Sequence, residues 1–503
     1  MPCRDYHPIA SDRDHDQMTG RAAVVAADGR YTYDELEAAS RRVAGSLLGG
    51  DGDLQQARVA FFVPPSFAHV AAQRGIWRAG GVAVPLAISH PPAELDYVIR
   101  DCAASMVIVT GEHRAVLAPL AAAAGARLLT IEEALAHAMP DLLPHVGAPR
   151  RAMIIYTSGT TGRPKGVVST HAVIGAQISS LVSAWAWSPL DRLLLCLPLH
   201  HVHGVINGLG CALAVRATCE ILAAFDATAV WNRLASGEVT VFTAVPTIYT
   251  RLIASWDASP PDVQQARSAG ARRLRLMMSG SAALPVHVLH RWREITGHTL
   301  LERYGMSETG MTLSNPLDGD RRPGSVGSPL PGVEVRLVDD EGNTVDDGMP
   351  GELEVRGPSV FVEYWQRPDE TSAAFRDGWF RTGDVAVLED GCYRLLGRTS
   401  VDIVKTGGFK VSALEIEEVL RAHPDITDCA VVGVADDEWG ERVSAAVELK
   451  TGSTLSLEAL QDWVRPQLAP YKIPRALTTV TALPRNAMGK VVKPEVAALF
   501  KSG

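Results

Sequence analysis

Along the first third of the chain, apolar positions recur with two different spacings, and the alternation between them sets the expected architecture. The stretches Tyr33–Leu47, Ser66–Arg78 and Pro92–Asp101 carry apolar residues three and four apart, the period of one helix face. Between them lie short, continuously apolar runs, Val59–Val63, Val82–Pro85 and Met106–Val109, which read as buried strands. This alternation over residues 21–150 predicts a largely parallel, doubly wound layer. Residues 172–320 repeat the theme, with Arg192–Leu197, Thr240–Ala244 and Leu274–Ser279 as buried strands that end near polar or glycine residues. Ligands of such sheets bind beyond the carboxyl ends of the strands.

Between 324 and 397 the period changes to two. Val333-Glu334-Val335-Arg336-Leu337 and Glu352-Leu353-Glu354-Val355-Arg356 alternate apolar and charged side chains between Gly and Pro, so an antiparallel, barrel-like piece is expected. A compact tail follows Gly397-Arg398. It holds a helix at about 412–422, marked by Ser412 with Glu415 three residues on in capping-box spacing, and an apolar strand at Cys429–Val432. The fold class is therefore α/β. A large N-terminal domain over 1–397, of doubly wound α/β subdomains plus the small β-barrel-like one, is followed by a hinge at 398–402 and a small mobile α+β domain over 403–503.

Composition supports that division, since 503 residues with 47% hydrophobic content exceed one ordinary domain. Forty-eight Lys+Arg against 57 Asp+Glu give a net charge of −9 with no long basic run, which argues against a nucleic-acid partner. The seven cysteines are scattered and contain no C-x-x-C pair, which argues for a reducing compartment and against a structural zinc site. No apolar run approaches membrane-spanning length, and Asp5, Asp12, Asp14 and Asp16 make the N-terminus a poor transit peptide. A cytoplasmic protein without a membrane partner, monomeric or weakly homo-oligomeric, is the expectation.

The candidate chemistry begins at Ile154-Ile155-Tyr156-Thr157-Ser158-Gly159-Thr160-Thr161-Gly162-Arg163-Pro164-Lys165-Gly166, where a strand-like run ends in hydroxyls, glycines and a lysine. Flexible backbone N–H groups, short O–H donors and a cation within one turn of chain suit a polyphosphate. The pattern is not a Walker A loop, because Lys165 follows a proline.

Tyr156 to Gly166 resembles the phosphate loop of the adenylate-forming (acyl-activating) superfamily, in its acyl-CoA synthetase branch. The resemblance implies that Thr157, Ser158, Gly159, Thr160, Thr161 and Lys165 handle the phosphates of ATP while a carboxylate attacks the α-phosphate. Further segments match in order. Ser279-Gly280-Ser281-Ala282-Ala283 is similar to the adenine-side turn, which implies ATP contacts for Ser281 and Ala282. Glu302-Arg303-Tyr304-Gly305-Met306-Ser307-Glu308 resembles the Tyr-Gly-Met-Thr-Glu element, with Ser307 replacing the commoner Thr. There the resemblance implies ATP contacts from Glu302, Tyr304, Gly305, Met306 and Ser307, with Tyr304 over the adenine and Glu308 on Mg²⁺, a hard cation content with one carboxylate plus phosphate oxygens. Asp384, in Arg381-Thr382-Gly383-Asp384, would accept the ribose hydroxyls. Arg398 would approach ribose or phosphates, or form a salt bridge in the link; Asp402 stands four residues after it, where the family usually places an acidic residue three after. Lys490 looks like the catalytic lysine that stabilises charge built up at the α-phosphate. By the same resemblance the C-terminal domain rotates between half-reactions and offers Lys405-Thr406-Gly407-Gly408-Phe409-Lys410 to the other substrates, Lys405 to ATP and Gly407, Gly408, Phe409 and Lys410 to coenzyme A.

The acid is suggested by Arg303, which stands where most acyl-CoA synthetases carry a small or apolar residue. A buried guanidinium needs an anionic partner, and a second substrate carboxylate supplies one bidentately. His203 offers a second donor, and His201 resembles the wall histidine of the acyl site. Together these segments resemble malonyl-CoA synthetases, which implies malonate, ATP and CoA as substrates. Two alternatives stay open: Arg303 paired with Glu302 in an enzyme for short- or medium-chain monocarboxylates, and a stand-alone adenylation enzyme that loads a carrier protein.

Overall fold

The computed structural model describes residues 20–157, 164–399, 401–406, 409–436, 438–485 and 491–500, with the backbone alone for Lys410. Among them, the first large sheet has nine strands. Its six central ones are parallel and run in the order Leu301–Met306, Leu276–Ser279, Val241–Ala244, Arg192–Leu195, Thr218–Ile221, Ala22–Ala26. Gly310–Ser314 and Ser328–Pro329 continue it antiparallel at one edge, and Gly29–Thr32 does so at the other. The second sheet has seven strands, five of them parallel: Arg151–Thr157, Val82–Pro85, Arg58–Phe62, Met106–Val109 and Arg127–Thr130. Continuously apolar strands are what burial on both faces demands.

One apolar core joins the two sheets through Val43 and Leu47 of the helix Tyr33–Leu48, Ile76 of Phe67–Arg78, and Ile174 and Leu181 of His171–Ala184. Thr32 starts the first of these with a full capping box to Glu35, and Ser66 starts the second by accepting from the His69 N–H. The sequence expectations for Val82–Pro85, Pro92–Asp101 and Met106–Val109 hold to the residue. Most other boundaries move by one or two residues, as frayed ends do, while the strand expected at Cys429–Val432 extends over Ile426–Asp436.

The period-two stretch forms an antiparallel sheet of Glu334–Val338, Gly351–Arg356, Trp379–Glu389 and Cys392–Arg398, with the short strand Phe375–Arg376 beside it. The tail builds its own sheet from Phe409–Ser412, Ile403–Thr406, Gly440–Leu449, Ile426–Asp436 and Ala476–Val480, covered by the helix Ala413–Arg421. The capping box expected there is half made. Ser412 Oγ accepts from the Glu415 N–H at 3.2 Å, while the Glu415 carboxylate takes Lys472 at 2.6 and 2.7 Å instead of reaching back. Glu418 of this helix accepts a hydrogen bond from the Val286 N–H, first residue of the helix Val286–Thr296, at 3.0 Å, so the tail touches the start of a helix of the large domain.

The six described cysteines are all free thiols, and five are buried. Among the described residues no helix is long and apolar enough to cross a membrane.

Candidate active site

The site grows from one hairpin. Leu301–Met306 ends the run of parallel strands, turns through Ser307-Glu308-Thr309, and returns as Gly310–Ser314. A Cβ at Gly305 would lie 2.0 Å from the Gly310 carbonyl oxygen and 2.7 Å from Met311 Cα, so only glycine lets the two strands close here. Successive strand residues face opposite ways. Glu302 and Tyr304 therefore share one face, and Arg303 takes the other.

On the first face Tyr304 Oη donates a short hydrogen bond to Asp384 Oδ2, and Arg398 Nε donates to Asp384 Oδ1 at 3.2 Å. The antiparallel register of Trp379–Glu389 and Cys392–Arg398 sets Asp384 directly opposite Arg398, which explains how two such distant positions meet. Arg398 thus forms a salt bridge, to Asp384, the residue that the resemblance assigns to the ribose. Burial raises the Asp384 pKa, and Arg398 and Tyr304 counter it. Glu308, at the hairpin turn, is 6% exposed and accepts from Tyr364 Oη at 3.0 Å. Burial raises its pKa too, and its charge is felt by both Asp384 and Arg398, so the three form one electrostatic unit. A buried carboxylate whose side-chain partner is the Tyr364 hydroxyl fits a hard divalent cation. Glu302 stands apart from this unit. It accepts from the Gly324 N–H at 3.1 Å, and burial pushes its pKa up to about 8.

Arg303, on the opposite face, is 3% exposed. Its Nη2 touches His203 Nε2, while Nε and Nη1 have no hydrogen-bond partner among the described residues. A Cβ at Gly280 would fall 2.0 Å from Nη1, so the missing side chain of Gly280 is what admits the guanidinium. The pairing of Arg303 with Glu302 is not made, because strand alternation points them apart. Among the described residues no carboxylate lies within salt-bridge distance of Arg303. Burial alone pulls its pKa down to about 10.

His203 is 4% exposed, with Nδ1 3.0 Å from Ser281 Oγ and Nε2 2.7 Å from Thr243 Oγ1. Arginine only donates, so Nε2 must carry the lone pair, and Nδ1–H then donates to Ser281. Burial first, then Arg303, drives the His203 pKa well below its ordinary value, consistent with the neutral ring. His203 opens a π-helical turn, His203–Gly210, a local distortion often found at functional sites. Ser281 adopts a left-handed φ of 69°. His201 is half-buried, its ring 4.2 Å from that of His200, and it lies near enough to influence His203.

Arg151–Thr157 and Lys165–Thr170 pair antiparallel on either side of the loop expected to take phosphate, with Thr157 opposite Lys165. Tyr156 Oη donates to Asp101 Oδ2 at 2.7 Å, and Tyr97 Oη donates to the Pro164 carbonyl at 2.8 Å, so both ends are tethered to the helix Pro92–Asp101. The Lys165 ammonium contacts Glu370 and lies 5.2 Å from the centre of the Tyr364 ring, whose hydroxyl holds Glu308. Lys165 and Glu308 are thereby brought to one place.

Ser158, Gly159, Thr160, Thr161, Gly407, Gly408 and Lys490 lie outside the described residues, as does the side chain of Lys410. Lys405 belongs to the C-terminal sheet, where it is exposed and its N–H donates to Glu441 at 2.6 Å; no described contact brings it to Asp384 or Glu308. Phe409 is 49% exposed and stacks on Tyr471 at 4.2 Å. Ala282, Met306 and Ser307 sit at the rim, exposed or half-buried. Sequence reasoning missed Thr243, Tyr364, Glu370, Tyr97 and Asp101, which hold the site from separate elements and sit in no motif.

The AMP-binding enzyme family matches residues 12–365, and the AMP-binding enzyme C-terminal domain matches 415–490. Malonate–CoA ligase ACSF3, mitochondrial, of Bos taurus is 49% identical over 94% of this chain and 87% of its own length. Among solved structures, ATP-bound MatB from Rhodopseudomonas palustris is 36% identical, covers 97% of both chains and superposes with a TM-score of 0.89. Apo MatB from the same organism, 37% identical over 96% of both chains, superposes with a TM-score of 0.80.

Proposed function

The chain belongs to the AMP-binding enzyme family, and from that premise we propose that it is a malonate–CoA ligase of the AMP-forming type. One malonate carboxylate attacks the α-phosphorus of ATP, the bond to the β-phosphate breaks, and pyrophosphate leaves. The CoA thiol, losing its proton, then attacks the acyl carbon of malonyl adenylate, and AMP leaves. The observation that carries the choice of acid is Arg303, a guanidinium sealed from solvent that, among the described residues, has two of its nitrogens unpartnered and no carboxylate in reach. An isolated buried charge costs several kcal/mol, and the far carboxylate of a short diacid removes that cost.

The other roles follow from position. Asp384 offers two acceptor oxygens to the ribose diol, with Arg398 and Tyr304 fixing its orientation. Glu308 would hold Mg²⁺, which when bound neutralises phosphate charge. Lys165 turns from Glu370 to the phosphates, His203 and His201 line the acyl side, and Lys490 stabilises the charge that develops at the α-phosphate. Phe409 and its neighbours Gly407, Gly408 and Lys410 face CoA. The domains pivot at 398–402 between the two half-reactions. The arrangement lies closer to ATP-bound than to apo MatB, which supports reading it as the nucleotide-loaded pose.

The test is pyrophosphate release from a panel of malonate, methylmalonate, succinate, acetate and octanoate, with and without CoA. Malonate should be the preferred acid, with malonyl-CoA formed only when CoA is present. Preference for acetate or octanoate removes malonate, and malonyl-CoA formation no faster than hydrolysis of the adenylate removes CoA as acceptor.

A further inference from the structure

A second concentration of buried charge lies in the C-terminal domain. Lys493, with 11% of its side chain exposed, sits between Asp402 Oδ1 and Glu417 Oε1, each at 2.7 Å. Glu417 is 3% exposed and also accepts from Arg421 at 3.1 Å and from the Val431 N–H at 2.8 Å. Arg421 reaches Asp428 at 3.5 Å, and Asp428 in turn takes Arg485. Burial lowers the Lys493 pKa, but Glu417 and Asp402 outweigh it, so the ammonium stays charged.

The placement of the ends of this network is what matters. Arg485 and Val491 form a β-bridge, and the Val492 N–H donates to the Pro484 carbonyl at 2.9 Å, so the two segments that flank Lys490 are paired. Arg485 ties one of them to Asp428, and Lys493 ties the other to Asp402 and Glu417. Asp402 in turn accepts from the Arg398 N–H at 3.1 Å through its second oxygen. A Cβ at Gly397 would fall 2.3 Å from Asp402 Cβ, so this contact across the domain link is close-packed. The Arg398 side chain holds Asp384. A line of ion pairs, joined across the link by the Arg398 N–H to Asp402, therefore runs from Asp384 to both segments beside Lys490.

We propose that Lys493 is a positioning residue for the adenylation step: it clamps the paired segments that flank Lys490 to Asp402 at the domain link and so fixes their orientation toward the nucleotide-facing cluster. This rests on the reading of Lys490 as the lysine of adenylation and of the present arrangement as the nucleotide-loaded pose. Neutralising Lys493 leaves Asp402 and Glu417 as adjacent buried carboxylates that repel, which releases the segment from the link. A displacement of about 1 Å at a group that acts by position costs on the order of 100-fold in rate. Thioester formation needs no such contact.

The experiment measures the half-reactions separately in the full chain: malonate-dependent ATP–pyrophosphate exchange, and release of malonyl-CoA from preformed malonyl adenylate and CoA. In Lys493→Met, exchange should fall by about 10- to 100-fold in kcat with KM for ATP within about twofold, while the thioester step stays within about twofold. Lys493→Arg should restore most of the exchange, and Asp402→Asn should reproduce the loss. Unchanged exchange in both Lys493→Met and Asp402→Asn overturns the proposal, as does an equal fall in both half-reactions, which marks a merely structural role. Lys490→Ala is the control: if it retains exchange, the reading of Lys490 fails; if it loses exchange while Lys493→Met keeps it, the present inference alone fails.

Discussion

Arg303 is a cation placed where the fold alone gives it little compensation, and this has a measurable cost. Replacing a buried, unpaired charge by an apolar side chain of similar length is neutral or stabilising. Arg303→Met should therefore hold or raise the Tm of the unliganded protein, read by calorimetry; a fall of several degrees would mean that the guanidinium supports the fold. Glu302, its neighbour on the opposite face, makes a pH prediction. Its pKa stands at about 8 in the folded chain against 4.5 ordinarily, so the folded state binds the proton more tightly. The stability it contributes is fully present below about pH 4.5 and is lost as pH rises through about 8. Glu302→Gln should flatten the decline of urea-unfolding free energy across that window, and an unchanged slope contradicts the assignment. Arg303 was legible in the sequence because it interrupts an apolar strand beside a recognisable motif. Its surroundings were not, since Thr243, which holds His203, comes from the separate strand Val241–Ala244 and carries no signal of its own.

The hairpin Leu301–Ser314 is the element that sorts these side chains, sending Tyr304 to Asp384 and Arg303 to His203. Its closure depends on Gly305, where an added Cβ would meet the Gly310 carbonyl oxygen and Met311 Cα, backbone atoms that cannot rotate away. Gly305→Ala should destabilise the protein by about 1–3 kcal/mol and depress both half-reactions together, followed by urea unfolding and the two rate assays. A stable variant that loses one half-reaction alone would show that the glycine serves a substrate instead. Elements of this kind read well from sequence: continuous apolar runs gave the parallel strands, and period two gave the antiparallel sheet. Where the reading stopped short, a side chain had a competing partner. Glu415 leaves its expected capping role for Lys472, and Lys165 lies against Glu370, a choice that depends on contacts between segments far apart in the chain.

Across the whole molecule, the α/β layers and the antiparallel sheet bring together two groups of side chains, Glu308, Asp384 and Arg398 on one face of the hairpin and Arg303 and His203 on the other, to which the proposed reading gives the nucleotide and the acid. The architecture was legible because each layer has its own hydrophobic period. The line of contacts from Asp384 to Arg485 was not, because it is built from single charged residues that look solvated when read one at a time. The proposed choice of a diacid rests on this one buried cation, and it is tested by the kcat/KM values for malonate and propanoate in the natural protein and in Arg303→Met. Loss of one charge-assisted contact of roughly 1.5–3 kcal/mol should lower the malonate value about 10- to 150-fold and leave propanoate within about threefold. An equal fall for both acids, or a natural preference for propanoate, would contradict the assignment of Arg303 to the far carboxylate.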